Sequence, residues 1–297
     1  MKNKKLIILL IGIFIILTIV GVMVYNFKNY ICLTQLSPQG TRQMMGYLIK
    51  TNNGKLIAID GGTIDDTNQL IQKINENGGK VHAWFLTHAH DDHVGAFTQI
   101  VKNTDIEIEN IYVSVNELLW YEQNEPGRLE FTKTFLETLN SDKIKNKIIE
   151  PTLNQKITID NLQIEILGIK NPEITENAGN EQSMVFTVNT GKTKLLILGD
   201  AGEQISKKLL KTQKEKLKSD IVQMSHHGQQ GATKELYEAV NPKICLWPTP
   251  EWLWNNDIGT GENTGPWKTL ETRSWMQELN VEKHYVAKDG NITIKIR

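Results

Sequence analysis

The stretch Thr87-His88-Ala89-His90-Asp91-Asp92-His93-Val94-Gly95 places five potential metal ligands in six consecutive positions. Three of the chain's seven histidines fall there, which sets it apart from an ordinary polar loop. Imidazole with carboxylate suits zinc, manganese or iron better than magnesium or calcium, which prefer all-oxygen sites. The apolar run Val81-His82-Ala83-Trp84-Phe85-Leu86 precedes the cluster and reads as a buried strand. In extended backbone His88 and His90 point to one side. Asp92 and His93 stand where a helix should start, and Gly95 permits close backbone approach just behind them.

The same logic recurs along the chain. Gly46 to Lys50, Asn52-Asn53-Gly54 and Lys55 to Ile59 predict a hairpin that ends in Asp60-Gly61-Gly62. Asp60 is either a turn former or a buried carboxylate that orients a ligand imidazole. Thr67 to Asn77 reads as a helix stopped by Gly78-Gly79. A helix over His93–Lys102, a strand over Ile106–Val115 and mostly helix over Asn116–Asn140 follow. Strands are expected near Ile148, Ile157, Ile164, over Ser183–Val188 and over Thr193–Leu198. The last runs into Gly199-Asp200-Ala201. A lysine-rich helix, Glu203 to Lys218, presents a solvated face. Asp220 to Met224 is again a strand, and it delivers Ser225-His226-His227-Gly228.

Strand ends from both halves thus carry His88, His90, Asp92, His93, Asp200 and His226. This pattern resembles the metallo-β-lactamase superfamily, which shares the His-x-His-x-Asp-His motif. The Gly199-Asp200 and Ser225-His226-His227-Gly228 motifs resemble the branch that contains the soluble domain of the ComEC competence proteins. The resemblance spans about Cys32 to the C-terminus. It implies an α/β four-layer αββα sandwich with two divalent ions, zinc or manganese, at one edge; a one-ion form is the alternative. By that resemblance His88 and His90 bind the first ion, Asp92, His93 and His226 the second, and Asp200 bridges them. Asp92 would also handle the proton of the attacking solvent, whereas His227 either packs beside the site or delivers a proton to the leaving group. The family often supplies one more histidine to the first ion from the loop before Ser183. Here that loop reads Asn177-Ala178-Gly179-Asn180-Glu181-Gln182-Ser183, so Asn180 and Ser183 are expected beside the ligands or substrate and the first ion is expected to be held more weakly. His82 and His284 are expected to be structural.

Four of the seven tryptophans lie between Trp247 and Trp267, in a segment too rich in Pro and Gly to form one regular element. Trp252, Trp254 and Trp267 either plug the sheet edge or form a surface on which rings can stack.

The N-terminus bounds the setting. Leu6 to Val24 is uncharged and almost wholly apolar, long enough as a helix to span the roughly 30 Å hydrocarbon layer. Lys2, Lys4 and Lys5 precede it, so residues 1–5 are expected in the cytosol, 6–25 as an uncleaved single-pass anchor, 26–31 as a linker and 32–297 as an extracellular hydrolase domain. Without Lys2, Lys4, Lys5 and Lys28 the remainder is mildly acidic, which counts against avid duplex nucleic-acid binding. Cys32 and Cys245 either pair in an oxidising exterior or remain free thiols. The expected reaction is phosphodiester hydrolysis on DNA or on a wall or lipid head-group ester at the membrane. β-Lactam or lactone hydrolysis, or a weakly catalytic binding module, are the alternatives.

Overall fold

The computed structural model describes residues 11–18 and 30–297. Residues 11–18 are helical, and among the described residues no helix is long and apolar enough to cross a membrane. Most of the expected anchor at 6–25 and of the linker at 26–31 lies outside the described residues.

The first sheet is built from β1 (Ile31–Gln35), β2 (Gly46–Lys50), β3 (Leu56–Asp60), β4 (Lys80–Leu86), β5 (Glu107–Val113) and β6 (Ile148–Ile149). The second uses β7 (Lys156–Ile159), β8 (Leu162–Gly168), β9 (Val185–Asn189), β10 (Lys194–Ile197), β11 (Ile221–Gln223), β12 (Ile244–Trp247) and β13 (Lys283–Val286). The final strand, β14 (Ile292–Ile296), returns to the first sheet beside β1. Each sheet has its strands in sequence order apart from that return. The expected hairpin is β2–β3, paired antiparallel with Gly46 opposite Asp60. β3, β4 and β5 then run parallel, as do β10, β11, β12 and β13. Parallel neighbours end at the same edge, so each sheet brings adjacent carboxyl ends together.

Period-two burial explains the layering. Leu33, Tyr47, Ile57, Ile59 and Phe85 of the first sheet meet Ile164, Phe186, Leu195 and Ile197 of the second in one continuous core. Phe85 stacks on Tyr112 at 4.6 Å and reaches Phe186 across the sandwich at 5.0 Å. The outer face of the first sheet is covered by α1 (Thr67–Glu76), α2 (Asp91–Asn103), α3 (Leu118–Asn124) and α4 (Leu129–Leu139). α5 (Glu203–Thr212), α6 (Lys214–Leu217), α7 (Lys234–Val240), α8 (Glu251–Trp254) and α9 (Thr269–Glu278) lie on the side of the second. The architecture is a two-sheet αββα sandwich. The lysine-rich helix expected over 203–218 is interrupted at Gln213 and resumes as the short α6. Helices α3 and α4 are separate, with a 3-10 turn at Pro126–Arg128 between them. Cys32 and Cys245 are both free thiols; Cys245 is buried against Met276.

Helix α2 matters most for positioning. It begins two residues earlier than expected, with His90 as its extended N-cap. Gly62 donates its N–H to the His93 carbonyl and accepts from Ala96, which pins the first turn of the helix to the end of β3. Gly95 makes that approach possible, because a Cβ there would lie 2.9 Å from the Ile64 nitrogen and 3.0 Å from the Thr63 carbonyl carbon. Alanine usually gains about 1 kcal/mol over glycine inside a helix. Here we expect Gly95→Ala to be destabilising instead, by about 1–3 kcal/mol, because the clash is with backbone. Denaturant unfolding measures this, and a stabilised variant would contradict the packing described.

Candidate metal centre

Four strand ends converge at one edge. β3 closes on Asp60, β4 leads into His88 and His90, β10 into Asp200, and β11 into His226-His227. The turn after β11 is conformationally demanding. His226, His227 and Gly228 all have left-handed backbone, with φ of 48°, 56° and 82°. Non-glycine residues pay for that conformation, and consecutive ones persist only when surrounding structure enforces them. Trp247 supplies part of that enforcement, since a Cβ on Gly228 would lie 2.5 Å from its ring.

The rings are fixed by their outward nitrogens. Asp60 is fully buried; its Oδ1 accepts from the Thr87 N–H at 2.8 Å, and its Oδ2 accepts from Thr87 Oγ1 at 2.6 Å. The same Oδ2 lies 2.7 Å from His93 Nδ1. His227 Nδ1 donates to the Pro248 carbonyl at 2.9 Å. His88 Nδ1 lies 3.1 Å from Thr87 Oγ1 and 3.4 Å from Ser183 Oγ. In all three rings Nε2 is the inward atom. His93 Nε2 stands 3.2 Å from Asp200 Oδ1; His88 Nε2 and His227 Nε2 stand 3.8 and 3.6 Å from Asp200 Oδ2. His227 Nε2 is also 3.3 Å from Asp92 Oδ2.

These inward atoms have the right chemistry for a cation. His88 Nε2, His93 Nε2, His227 Nε2, Asp92 Oδ1 and both Asp200 oxygens are buried without a hydrogen-bond partner. Burying so many unpaired polar atoms is costly unless something else satisfies them. Nitrogen and oxygen ligands at about 2.0–2.2 Å from a tetrahedral ion stand roughly 3.3 Å apart, close to the separations seen. Two compact donor groups result: His88 with His93 and Asp200, and Asp92 with His93 and His227. The residues fit a divalent cation.

His227, rather than the expected His226, joins Asp92 and His93. His226 instead donates Nδ1–H to the Gln230 carbonyl at 2.6 Å, and its Nε2 faces Asn180 Nδ2 at 3.4 Å. The two residues could not be told apart in the sequence, because only the left-handed turn decides which ring faces inward. His90 also lies outside both compact groups, although its ring is 4.4 Å from that of His88. Ser183 Oγ accepts the Asp200 N–H at 2.9 Å, so it holds the carboxylate's backbone as well as contacting His88.

Several contributors carried no sequence signal. Gln43 donates Nε2–H to Asp92 Oδ2 at 2.9 Å and accepts from Gln229. Glu125 holds His90 Nε2 at 2.7 Å. Asp91 binds two guanidinium groups from distant segments, Arg42 at 2.6 Å and Arg128 at 2.8 Å; their side chains are about half exposed. The tryptophans divide. Trp254 packs edge-on against buried Trp247 at 5.2 Å and lies under Arg273, a structural placement. Trp252 pairs with Trp267 at 4.7 Å and donates Nε1–H to the Thr41 carbonyl, two residues before Gln43. His284 accepts from Trp247 Nε1 at 3.0 Å and His82 from the Leu56 N–H at 3.1 Å; both lie outside the donor groups and make structural bonds.

A model of the metallo-β-lactamase superfamily matches residues 42–245 of the 297. The chain belongs to that superfamily. Among curated proteins it is 23% identical over 186 residues to ComE operon protein 3 of Bacillus subtilis (strain 168). That match covers 60% of this chain but 21% of the relative. Among solved structures it resembles the metallo-β-lactamase fold protein YhfI from Bacillus subtilis, with TM-score 0.56, 13% identity, and 90% of this chain and 100% of that one covered. CmlA, a diiron β-hydroxylase from Streptomyces venezuelae, gives TM-score 0.54 at 9% identity, with 90% of this chain and 54% of that one covered. The superfamily match, the sandwich and the donor cluster together make this a metallo-β-lactamase-fold, metal-dependent hydrolase.

Electrostatics prepares the site for that ion. Burial opposes ionisation of Asp200 and Asp92, yet the imidazoles of His93 and His227 hold both carboxyls well below their ordinary range. Burial likewise opposes protonation of His93 and His227, but Asp200, with Asp60 or Asp92, raises His93 well above its usual value and His227 to about 9. Burial and its histidine neighbours push His88 down, leaving it neutral. At neutral pH the metal-free His93 and His227 therefore hold protons that an ion must displace. Divalent-metal affinity should rise as pH increases from about 6.5 towards 9, and uptake at neutral pH should release protons. A pH indicator in weak buffer together with affinity titrations measures both; a pH-independent affinity would contradict the assignment.

Proposed function

We propose that this protein is a membrane-anchored, extracytoplasmic phosphodiesterase. The observation that carries the reaction is the set of orphaned donors around Asp200, joined at its rim by the paired, half-exposed guanidinium groups of Arg42 and Arg128. Guanidinium geometry matches phosphate oxygens, so two arginines beside the donor cluster suit the negative charge of a phosphodiester. The likeness to ComE operon protein 3 supports the same reading.

In this reading His88 and His90 would hold a first ion, Asp92, His93 and His227 would hold a second, and Asp200 would be available to both. Two such cations supply an activated solvent nucleophile and neutralise charge on the phosphoryl oxygens. The chain's own groups do the rest. Asp60 and Thr87 lock the His93 ring, and Gln43 fixes one oxygen of Asp92. Asp92 Oδ1, which has no hydrogen-bond partner, would face the cation position, where the carboxylate could help hold an ion and orient the attacking solvent to take its proton. Arg42 and Arg128 bind the anionic substrate while Asp91 limits their motion. In this reading His227, with Nε2 turned to Asp92 and Asp200, would serve as a ligand rather than as the proton donor to the leaving group. The substrate is a phosphodiester of DNA or of a wall or lipid head group, met outside the cell by a domain tethered through residues 6–25.

His227→Ala should lower turnover of bis-p-nitrophenyl phosphate by at least about a hundredfold, since each 1.36 kcal/mol is tenfold in rate and loss of an ion removes several. His82→Ala, at a histidine whose ring bonds only the Leu56 N–H, should turn over normally apart from any stability loss. Equal losses in the two variants at equal stability would move the site. Hydrolysis of nitrocefin in place of the phosphodiester would overturn the substrate class. For the anchor, an alkaline phosphatase fusion after Lys28 should be active and should sediment with membranes; a shortened, freely secreted product would show cleavage instead.

A further inference from the structure

His90 differs from the other imidazoles around the site in how it is held. His88, His93 and His227 are anchored through Nδ1, which leaves Nε2 inward. The His90 ring is anchored through Nε2, by Glu125 Oε1 at 2.7 Å, and makes no other hydrogen bond; only its backbone carbonyl accepts, from the His93 and Val94 N–H groups. We propose that Glu125 is the positioning carboxylate of His90 at the first divalent-cation position. By accepting the Nε2 proton it fixes the tautomer in which Nδ1 carries the lone pair, the only ring atom then able to ligate. Asp60 does the same for His93 from the other side of the ring. Carboxylate partners of this kind orient metal-ligating histidines and raise their basicity.

The surroundings are shaped for this pair. Glu125 is the C-cap of α3, its N–H bonded to the Tyr121 carbonyl, and Pro126 follows it. Its side chain is largely buried, and Oε2 has no partner of its own. Gly179 lies over both groups: a Cβ there would stand 2.1 Å from His90 Nε2 and 2.3 Å from Glu125 Oε2. The backbone of Gly179 is ordinary helical, with φ of −63°, so glycine is needed there for space and not for conformation. Gly179 belongs to the loop before Ser183, in which the sequence places no histidine. Glu125 thus supports the first position from outside the ligand set, through His90.

This inference rests on the metal-centre reading, and its test needs no substrate. Affinities for Mn²⁺ and Zn²⁺ are measured by chelator competition on the detergent-solubilised full chain, with melting of the metal-free protein alongside. Glu125→Ala should weaken the first ion about 10- to 100-fold while the second ion and the metal-free melting temperature hold. Glu125→Gln keeps an oxygen acceptor and should lose less. Gly179→Ala should reproduce Glu125→Ala from the opposite side. Long-range imidazole ¹⁵N spectra of the metal-free protein should show the Nε2–H tautomer at His90, and its loss in Glu125→Ala. Unchanged or tighter first-ion affinity in Glu125→Ala would overturn the proposal. So would weakening of both ions in step with a lower melting temperature, or an Nδ1–H tautomer in the parent. A chain that passes these tests yet leaves phosphodiesters intact would sink only the phosphodiesterase reading.

Discussion

The carboxylate of Asp60 ties the site together. It is fully buried at the end of β3, and its two oxygens take the Thr87 N–H, the Thr87 hydroxyl and His93 Nδ1. Its carbonyl accepts from Trp84 Nε1 in the neighbouring strand. Three pieces of chain meet there: a strand end, the loop leaving the next strand, and the first turn of α2. Taking an unpaired carboxylate out of water costs several kcal/mol, so the structure tolerates it only where every piece supplies its donor. Satisfying Asp60 therefore sets the register between β3, β4 and α2, and with it the position of every ligand in the His-x-His-x-Asp-His loop.

The second sheet answers with a different device. There the ligand-bearing turn is held by shape more than by charge. Three consecutive left-handed residues, His226 to Gly228, are forced against Trp247, and Ser183 supports both the Asp200 N–H and the approach of β9. Gly199, at φ of 57°, allows that contact, since a Cβ there would reach Ser183 Oγ at 2.9 Å. Backbone strain of this kind is stored where function needs an unusual side-chain direction.

Every inward-facing ring is steered by its far nitrogen, through Asp60, Thr87 or Pro248, and the His90 ring is held by Glu125. Rigid rings with buried, unsatisfied inner atoms form a preorganised cage whose desolvation has been met during folding. The opposed charges of Asp92, Asp200, His93 and His227 offset part of that burial cost, and an incoming cation displaces the imidazole protons.

The sequence by itself determined the strand ends and their cargo. Apolar runs closing on Asp60, His88, Asp200 and His226-His227 are local patterns, because a strand's period and the residue after it lie in one short window. The Gly95 approach and the β2–β3 hairpin were legible for the same reason. Tertiary structure decided what no window contains. Whether His226 or His227 turns inward depends on a left-handed turn braced by Trp247, more than a dozen residues away. Glu125 and Gln43 reach the site across 35 and 49 residues from loops with no motif of their own. Of three tryptophans that look alike in sequence, Trp254 joins the packing on Trp247, while Trp252 and Trp267 pair with each other and Trp252 ties down the loop before Gln43. Hydrogen bonds to a ligand's far side are set by packing in three dimensions, and composition and spacing along one dimension do not encode them.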